Sequence, residues 1–538
     1  MAWRWRPPDD GMDDLDRRLC ELAHDGTAEE IRAMVERGAN PTRAGYRGLT
    51  ALMIAAANNP DPAVLRTLLT LGARLHDRME DRTRSAIHVA AIHNAYPAVL
   101  QELVDAGAEV DARDAIGSTP LMQASGHNPN PECVRMLVRL GADPNARSDL
   151  GHTPLHIAVE RRRGLVVVRT LLDAGAEVDA PDPTGSTALM NAARANVDAS
   201  LVAALLAAGA DADTADEFGS SALIVAAAGS FDGPAEWSCV ARLIDGGANV
   251  NARDRYGRTA LMHAATSSRP IVDLLVRRGA DVHARDDTGA TALHHAARGS
   301  IGADVVRSLL AAGAGVDARD RGGRTPLQAA AARCRDASVL DALLAAGADV
   351  AARDDNGATA LLVAADRSPA PAVIEVLLRA GSDIEARDRE GRSALARAAA
   401  TASTPDVVDC LVRAGACPNV RDEDGFTPLL WAVAQQAHPA VVLEVLRAGA
   451  DVDARGPEGV TALMVALDAA RGPHVLQALL AAGADADAID VFGASAVTRA
   501  VQRGADAGVL DVLRRDGSVA LRRPFRGRRA SAGASTRT

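Results

Sequence analysis

The chain has 538 residues, of which 48% are apolar, 24% charged and only 2% aromatic. Because large rings are so scarce, this composition argues against several bulky globular cores and favours many small contacts between helices. The net charge is −11, but eight arginines and one acidic residue lie between Arg514 and the C-terminus, so a short basic tail follows an acidic body. The chain contains no lysine, and all 59 of its Lys/Arg residues are arginine.

The N-terminal residues include arginines but no apolar core after them, and no apolar run approaches the ~18 residues that cross a bilayer. We therefore expect no secretory signal, no membrane span and a cytoplasmic location. Residues 1–14 are expected to be disordered. After them, Leu15, Leu19 and Leu22 predict a first helix, and Thr27 with Glu30 forms a capping-box pattern that opens a second.

A Gly-Ala or Gly-Ser pair then recurs along the whole chain. Eleven of its fourteen intervals are 34 residues long, and the others are 35, 38 and 32 residues. Such a register indicates one structural module copied many times. The recurring glycines are Gly38, Gly72, Gly107, Gly141, Gly175, Gly209, Gly247, Gly279, Gly313, Gly347, Gly381, Gly415, Gly449, Gly483 and Gly517.

The unit that opens at Gly151 shows what each module contains. Thr153 is a good N-cap, and Pro154 occupies the first helical position, where its missing N–H matters least. A polar stretch separates this short helix from a second one that runs from Val166 to Leu172. Gly175 can take the left-handed conformation that ends the second helix. The pattern predicts helix, loop, helix and a finger-like turn.

These motifs resemble the ankyrin repeat. The Gly-x-Thr-Pro-Leu-His-x-Ala motif and the closing Leu-Leu-x-x-Gly-Ala segment support this resemblance over about residues 15–516. Departures are the extra residue between the two helices, Thr83 in place of a turn glycine, and a motif histidine kept only at His88, His156 and His294. The resemblance implies an all-α solenoid of about fifteen stacked helix-loop-helix units with short β-hairpin-like fingers. We expect it to span residues 15–517, with atypical capping units and a disordered basic tail over 518–538.

Catalytic and cofactor motifs are missing from the sequence. A lysine-free chain cannot carry a phosphate-binding GxxxxGK[ST] loop, and HExxH and a GxSxG elbow do not occur either. The six cysteines form no CxxC pair, so we expect them to be buried small residues. The sequence therefore predicts no enzyme activity, no cofactor and no metal. His263 and His295 occupy matching positions in adjacent units, but packing between helices is preferred to a metal site.

Aromatic residues mark the candidate binding positions. Several of the few rings stand beside turn glycines, and arginine and aromatic side chains are favoured as binding anchors. Arg255, Tyr256 and Arg258 make the most anchor-like finger, and an inserted loop nearby contains Phe231 and leads to Trp237. Packing against neighbouring turns remains the alternative. The predicted partner-binding residues are Tyr46, Phe218, Phe231, Trp237, Arg255, Tyr256, Arg258, Phe426 and Phe492.

The resemblance implies that the turns and first helices line a concave face that binds other proteins. We expect a scaffold or adaptor for an unidentified protein partner, and we expect it to be a monomer in solution. One alternative is a host-directed effector of a bacterium or large DNA virus, located in the host cytoplasm or nucleus and acting as a ubiquitin-ligase adaptor or competitive inhibitor. The missing lysines would be useful to such an effector, but a genomic preference for G and C is the preferred explanation of their absence. A nucleic-acid-associated protein that works through its basic tail is a further alternative, although we consider nucleic acid an unlikely partner.

Overall fold

Helices account for nearly all the regular structure of the chain. The computed structural model describes residues 13–45, 48–79, 84–195, 199–229, 236–299, 302–333, 336–367, 370–402, 404–435, 437–469, 473–502 and 513. These fall into two compact units, Met1–Asp281 (unit 1) and Val282–Thr538 (unit 2). Odd-numbered helices are the first members of successive pairs and are called first helices below; even-numbered helices are called second helices.

Unit 1 contains eight helix pairs in its described part. They are α1 (Asp14–Asp25), α2 (Ala28–Glu36), α3 (Ala51–Asn58), α4 (Pro62–Thr70), α5 (Ala86–His93), α6 (Pro97–Asp105), α7 (Pro120–His127), α8 (Pro131–Arg139), α9 (Pro154–Glu160), α10 (Leu165–Asp173), α11 (Ala188–Arg194), α12 (Ala199–Ala207), α13 (Ala222–Ala228), α14 (Glu236–Asp245), α15 (Ala260–Ala264) and α16 (Arg269–Arg277).

Unit 2 continues the same alternation through its described residues. Its helices are α17 (Ala292–Arg298), α18 (Ala303–Ala311), α19 (Pro326–Arg333), α20 (Ala337–Ala345), α21 (Ala360–Arg367), α22 (Pro371–Arg379), α23 (Ala394–Thr401), α24 (Asp406–Arg413), α25 (Pro428–Ala434), α26 (Pro439–Arg447), α27 (Ala462–Asp468), α28 (Pro473–Ala481) and α29 (Ala496–Gln502), with a 3-10 turn at Pro457–Gly459.

The predicted helix boundaries are confirmed in the repeat that begins at Gly151. The Thr153 hydroxyl accepts a hydrogen bond from the backbone N–H of His156, and Pro154 is the first residue of α9. Gly175 has φ +87°, so it takes the left-handed conformation that ends α10. The capping box of Thr27 and Glu30 at the start of α2 also forms as predicted.

The core lies between consecutive helix pairs. Within unit 1, α3 contacts α1, α5 and its own partner α4, and it is buried along its whole length from Ala51 to Ala57. Alanine fits here because backbones on both sides approach closely. A second helix such as α6 buries only one face, formed by Val99, Leu100 and Leu103. A single pair would therefore leave its first helix exposed, and stacking is what buries it.

The fingers between pairs are tight turns. Among the described residues they form isolated bridges, such as Arg253 with Thr259 and Arg387 with Ser393, and no strand. Gly117 shows why a glycine is needed at the turn. Its φ is +71°, and a Cβ there would lie 2.3 Å from Oδ1 of Asp149 in the next finger. The finger therefore requires glycine both for its backbone conformation and for stacking.

The three motif histidines join each repeat to the next. Nδ1 of His156 lies 2.8 Å from the Thr153 hydroxyl, and its Nε2 donates to the carbonyl of Ser186 in the following finger at 3.2 Å. His88 and His294 make the equivalent contacts with Ser118 and Arg324. Burial is the main factor that lowers the pKa of all three below the ordinary 6.5. Each ring is therefore neutral in the folded protein at neutral pH.

In the repeat that follows His294, Gln328 occupies the histidine position and makes similar contacts. Its Oε1 accepts from the backbone N–H of Thr325, and its Nε2 donates to the carbonyls of Ala352 and Ala358 at 3.0 and 2.7 Å. Glutamine has no proton to gain near neutral pH. The chain therefore contains its own non-titrating substitute for the buried histidine.

Two further ladders of hydrogen bonds run between repeats. In unit 1, Asn94 at the end of α5 donates to the carbonyls of Ala56 and Asn59, and Asn128 donates to those of Ala91 and Asn94. In unit 2, each finger arginine donates to the carbonyl 34 residues later, which links Arg285, Arg319, Arg353, Arg387, Arg421, Arg455 and Ile489. A neighbouring repeat thus satisfies backbone carbonyls: the asparagines bond those of the preceding repeat, and the arginines bond those of the following one.

We predict that substituting all three histidines, as His88→Gln, His156→Gln and His294→Gln, reduces the acid sensitivity of the fold. Above pH 6.5 each histidine is neutral in both states; below it the unfolded chain takes up protons that the buried rings resist, so the free energy of unfolding falls. Urea unfolding at pH 7 and pH 5 should show a smaller loss in the variant than in the wild type. Equal losses would contradict the assignment.

Candidate functional site

Aspartates organise the fingers. In Asp114-Ala-Ile-Gly117, Oδ1 of Asp114 accepts from the backbone N–H groups of Ile116 and Ser118 at 3.0 and 2.8 Å. The same two contacts recur at Asp216, Asp254 and Asp388. Aspartates that accept backbone N–H groups in this way favour tight turns. They are structural groups, and each one fixes the backbone of the residue that follows it by two positions.

The second carboxylate oxygen of many fingers binds a side chain of the first helix that follows. The donor always stands nine residues after the aspartate, although its type varies, and the distances are 2.5 to 3.0 Å. These finger–helix pairs hold the finger against its own helix. They are Asp114–Gln123, Asp254–His263, Asp286–His295, Asp388–Arg397, Asp422–Trp431 and Asp490–Arg499.

His263 and His295 are therefore members of finger–helix pairs. Each ring donates from Nε2 to the aspartate of its own finger, Asp254 at 3.0 Å and Asp286 at 2.8 Å. The sequence analysis expected them to pack between helices and missed these polar partners. Across the described residues, no group of three or more histidine, cysteine or acidic side chains is arranged to hold a metal.

The pair of Asp388 and Arg397 is the most buried of the finger–helix pairs that join an aspartate to an arginine. The two residues are 8% and 9% exposed, and Nε and Nη2 of Arg397 lie 2.8 and 2.6 Å from Oδ2 of Asp388. Burial alone would raise the pKa of Asp388, but the hydrogen bonds from Arg397 and the backbone of Arg392 hold it below its ordinary value. The aspartate is therefore ionised, and a charge pair supports this finger.

The structure brings four of the predicted binding residues together on neighbouring fingers of unit 1. The Arg255 guanidinium lies 4.6 Å from the ring centre of Phe218 and 4.8 Å from that of Tyr256, and it donates to the Tyr256 hydroxyl at 2.6 Å. Arg258 approaches the other side of the cluster, 5.4 Å from the Tyr256 ring centre. We call Phe218, Arg255, Tyr256 and Arg258 the finger cluster.

Backbone contacts fix the finger cluster in place. Asp216 accepts from the N–H of Phe218, and Asp254 accepts from the N–H groups of Tyr256 and Arg258. The N–H of Arg255 donates to the carbonyl of Phe218 at 2.9 Å, which ties the two fingers together. The rings nevertheless remain 43% exposed at Phe218 and 47% exposed at Tyr256. The cluster is a rigid, solvent-facing aromatic and cationic surface.

The other predicted binding residues are dispersed. Phe426 is half-buried and packs on Trp431 of the first helix that follows it, α25, with ring centres 4.8 Å apart. Phe492 is 73% exposed on the last described finger, and Trp237 is exposed on the second helix α14 rather than on a finger. Tyr46 and Phe231 lie outside the described residues, as do most of segment 1–14 and the whole of tail 518–538.

The cysteines divide by environment. Cys20, Cys133 and Cys239 are buried, as expected. The expectation was wrong for Cys417, which is exposed because it stands in a finger, and Cys410 is half-buried. Cys334 falls outside the described part of the chain. Of the helices that the structure describes, none is long and apolar enough to cross a membrane.

Sequence reasoning missed a second surface in unit 1, lined by Arg84, His93, His127, Arg161 and Arg163. These residues come from three successive repeats and meet at the ends of α5, α7 and α9. Three consecutive arginines in the loop after α9, residues 161–163, were the one signal that could have indicated it.

Comparisons with known proteins agree with this architecture. The sequence model of a family described as "Ankyrin repeats (3 copies)" matches overlapping stretches that together span residues 87–490. A solved structure described as the ankyrin repeat domain of Bcl-3, a member of the IkappaB protein family, is 32% identical. That match covers 42% of this chain and 97% of the other, with a TM-score of 0.37. A search of curated proteins finds no match.

We predict that Arg397→Ala lowers the free energy of unfolding by about 2 kcal/mol, because the buried carboxylate of Asp388 loses its buried charged partner and keeps only the half-buried Arg392, whose Nε lies 3.1 Å from Oδ2. Arg413→Ala is the matched control, since its ion pair with Asp409 is largely solvent-exposed and should contribute under about 1 kcal/mol. Urea unfolding measures both. A loss for Arg397→Ala no larger than that for Arg413→Ala would show that the pair does not support the finger.

Proposed function

Because this chain belongs to the ankyrin-repeat family, we propose that it is a non-enzymatic scaffold or adaptor that binds a protein partner. The binding surface would be formed by the fingers and the first helices. Fingers suit this role because hydrogen bonds within and between repeats satisfy their backbones, so their outward side chains need little ordering when a partner docks. The proposed repeat domain spans residues 15–517.

The finger cluster is the observation that carries this proposal. Binding energy at protein interfaces concentrates in a few arginine and aromatic residues, and rigid side chains lose little entropy on binding. Arg255 is held between two exposed rings and bonded to one of them, so the planar surface already exists in the free protein. A chain with only 2% aromatic residues places two of them side by side here.

We propose that the finger cluster is the centre of the interface. Trp237 and Phe492 are secondary candidates, since both are exposed but isolated from the cluster among the contacts described above. Phe426 is a weaker candidate because its ring already packs on Trp431. Tyr46 and Phe231 remain predictions from the sequence alone.

We predict that a variant with Arg255→Ala and Tyr256→Ala loses a partner that the wild type retains. Proteins captured from native cells by the wild-type chain would first be identified by mass spectrometry. The affinity of the purified partner should then fall by about tenfold or more, because two central anchors are truncated. Isothermal titration calorimetry measures the change.

The matched control is a variant with Val166→Ala and Arg169→Ala, which removes an exposed apolar residue and an exposed arginine from the second helix α10 of the same unit. It should bind the partner with unchanged affinity. If the finger-cluster variant folds normally and binds as tightly as the control, the cluster is not the interface.

A further inference from the structure

Two adjoining cavities lie in unit 1 between the ends of first helices and the fingers beside them. One has a volume of about 620 Å³ and is lined by residues that include His93, His127 and Arg163. The other, of about 250 Å³, is lined by residues that include Arg84, His127 and Arg161. His127 lines both cavities, so they adjoin at this residue, and we call the two together the basic groove.

The charge of the basic groove opposes that of the whole chain. The chain carries a net charge of −11, yet three arginines line the groove. Among the described lining residues, Glu160 is the only acidic one. Its Oε1 is 3.5 Å from Nδ2 of Asn191 and 4.0 Å from Nδ1 of His152. In the described part of the chain, no ion pair joins Glu160 to any of the three groove arginines. The groove is a local positive surface on an acidic protein.

The groove arginines lack partners within the described part of the chain. No hydrogen bond or ion pair there engages the side chains of Arg84, Arg161 or Arg163, and Nε of Arg84 and of Arg163 is buried without an acceptor. By contrast, Arg162 donates to the carbonyl of Ala195. Burying a guanidinium N–H without an acceptor is unfavourable, and an incoming carboxylate would supply the missing acceptor.

The backbone of the arginine loop is also unusual. Arg162 has φ +54°, a left-handed conformation that non-glycine residues rarely adopt. This turn directs Arg162 to its backbone partner while Arg161 and Arg163 line the two cavities. Such strain persists only where surrounding structure enforces it. The loop therefore holds two unpaired cations at the groove.

The positive potential acts on the histidines of the groove. Burial, then the nearby charges of Arg84 and His127, lower the pKa of His93 to about 4. Burial, followed by the charges of Arg161 and Arg84, also lowers the pKa of His127. Both rings are therefore neutral at pH 7. The fixed positive charge comes from the arginines.

The rim of the groove is apolar. Ile116 and Leu150, on neighbouring fingers, line the smaller cavity, and Tyr96 lines the larger one; all three are exposed. A ligand that fits this surface combines carboxylates with apolar side chains along an extended segment. Single-stranded nucleic acid would need several rings for base stacking, and Tyr96 is the one aromatic among the described lining residues other than histidines.

We propose that the basic groove binds an acidic, extended segment of a protein partner, with carboxylates at Arg84, Arg161 and Arg163 and apolar side chains on the rim. This inference rests on the proposed scaffold function and adds the chemistry of one partner segment. The groove is separate from the finger cluster in sequence and in composition. The groove can therefore be tested with synthetic peptides before any protein partner is identified.

The test uses the full chain and a fluorescein-labelled peptide of repeated Glu-Glu-Ala triplets, with a peptide of Gln-Gln-Ala triplets as the uncharged comparison. Fluorescence anisotropy should show binding of the acidic peptide that weakens as NaCl is raised. The glutamine peptide should bind at least about tenfold more weakly. The double variant Arg161→Glu with Arg163→Glu should lower the affinity for the acidic peptide by about tenfold or more.

The double variant Arg139→Glu with Arg169→Glu is the matched control, since it makes the same charge change on exposed positions of the second helices α8 and α10. It should bind the acidic peptide like the wild type. Circular dichroism and thermal unfolding check that both double variants fold. If the Arg161→Glu with Arg163→Glu variant unfolds, Arg84→Glu, which lies outside the loop, is the second test of the groove. Equal losses in groove and control variants, or no peptide binding, would overturn the proposal.

A labelled oligothymidylate of matched charge gives the remaining outcome. If the oligonucleotide binds the wild-type chain more tightly than the acidic peptide does, and if the groove variant no longer binds it, the groove is a nucleic-acid site and the proposal is wrong. Failure of the scaffold function would show differently: the captured partner would bind the finger-cluster variant with the same affinity as the wild type. The two failures are therefore distinguishable.

Discussion

Each repeat depends on the next one to satisfy its buried polar groups. The histidine at the start of a first helix donates to a carbonyl 30 residues later, the finger arginine donates to a carbonyl 34 residues later, and asparagines in unit 1 reach back to the preceding pair. A buried N–H or C=O without a partner is unfavourable by about 1–3 kcal/mol. A repeat with a different length would break several of these bonds together, which explains why the 34-residue interval is kept so closely.

This dependence also shapes the exposed surface. Turn backbones in a mobile loop must be ordered when a ligand binds, whereas these fingers are already bonded to their own aspartate, to the first helix and to the next finger. Side chains at the finger tips can therefore vary without loss of the fold, as the change from Phe218 to Tyr256 to Glu390 shows. The repeat fixes the backbone of each finger, and the side chains at the finger tips determine what the surface can bind.

Most of the fold could be predicted from local sequence signals. The glycine register, the Thr153 cap and the Gly175 stop each depend on residues within one repeat, so they can be read from the chain directly. The finger–helix pairs were missed because the donor changes from Gln123 to Arg397 to Trp431 while only its position stays constant. The hairpin-like fingers were predicted in the right place, but not the way in which one aspartate carboxylate oxygen in a finger accepts from two backbone N–H groups.

The basic groove was beyond sequence reasoning for a different physical reason. Arg84 and Arg161 are separated by two full repeats, and only stacking brings them to one depression. Their lack of partners is also a property of the folded chain, because arginines that look alike in the sequence have different contacts in the structure. Arg397 and Arg499 pair with finger aspartates, and Arg255 lies between two rings. No hydrogen bond or ion pair in the described part of the chain engages the side chain of Arg84 or Arg163, and the Nε of each is buried. An arginine count identifies the charge, but only the contacts show which cations remain for a ligand. By that criterion the binding chemistry of unit 1 is of two kinds, a preassembled aromatic surface at the fingers and an unsatisfied cationic one in the groove.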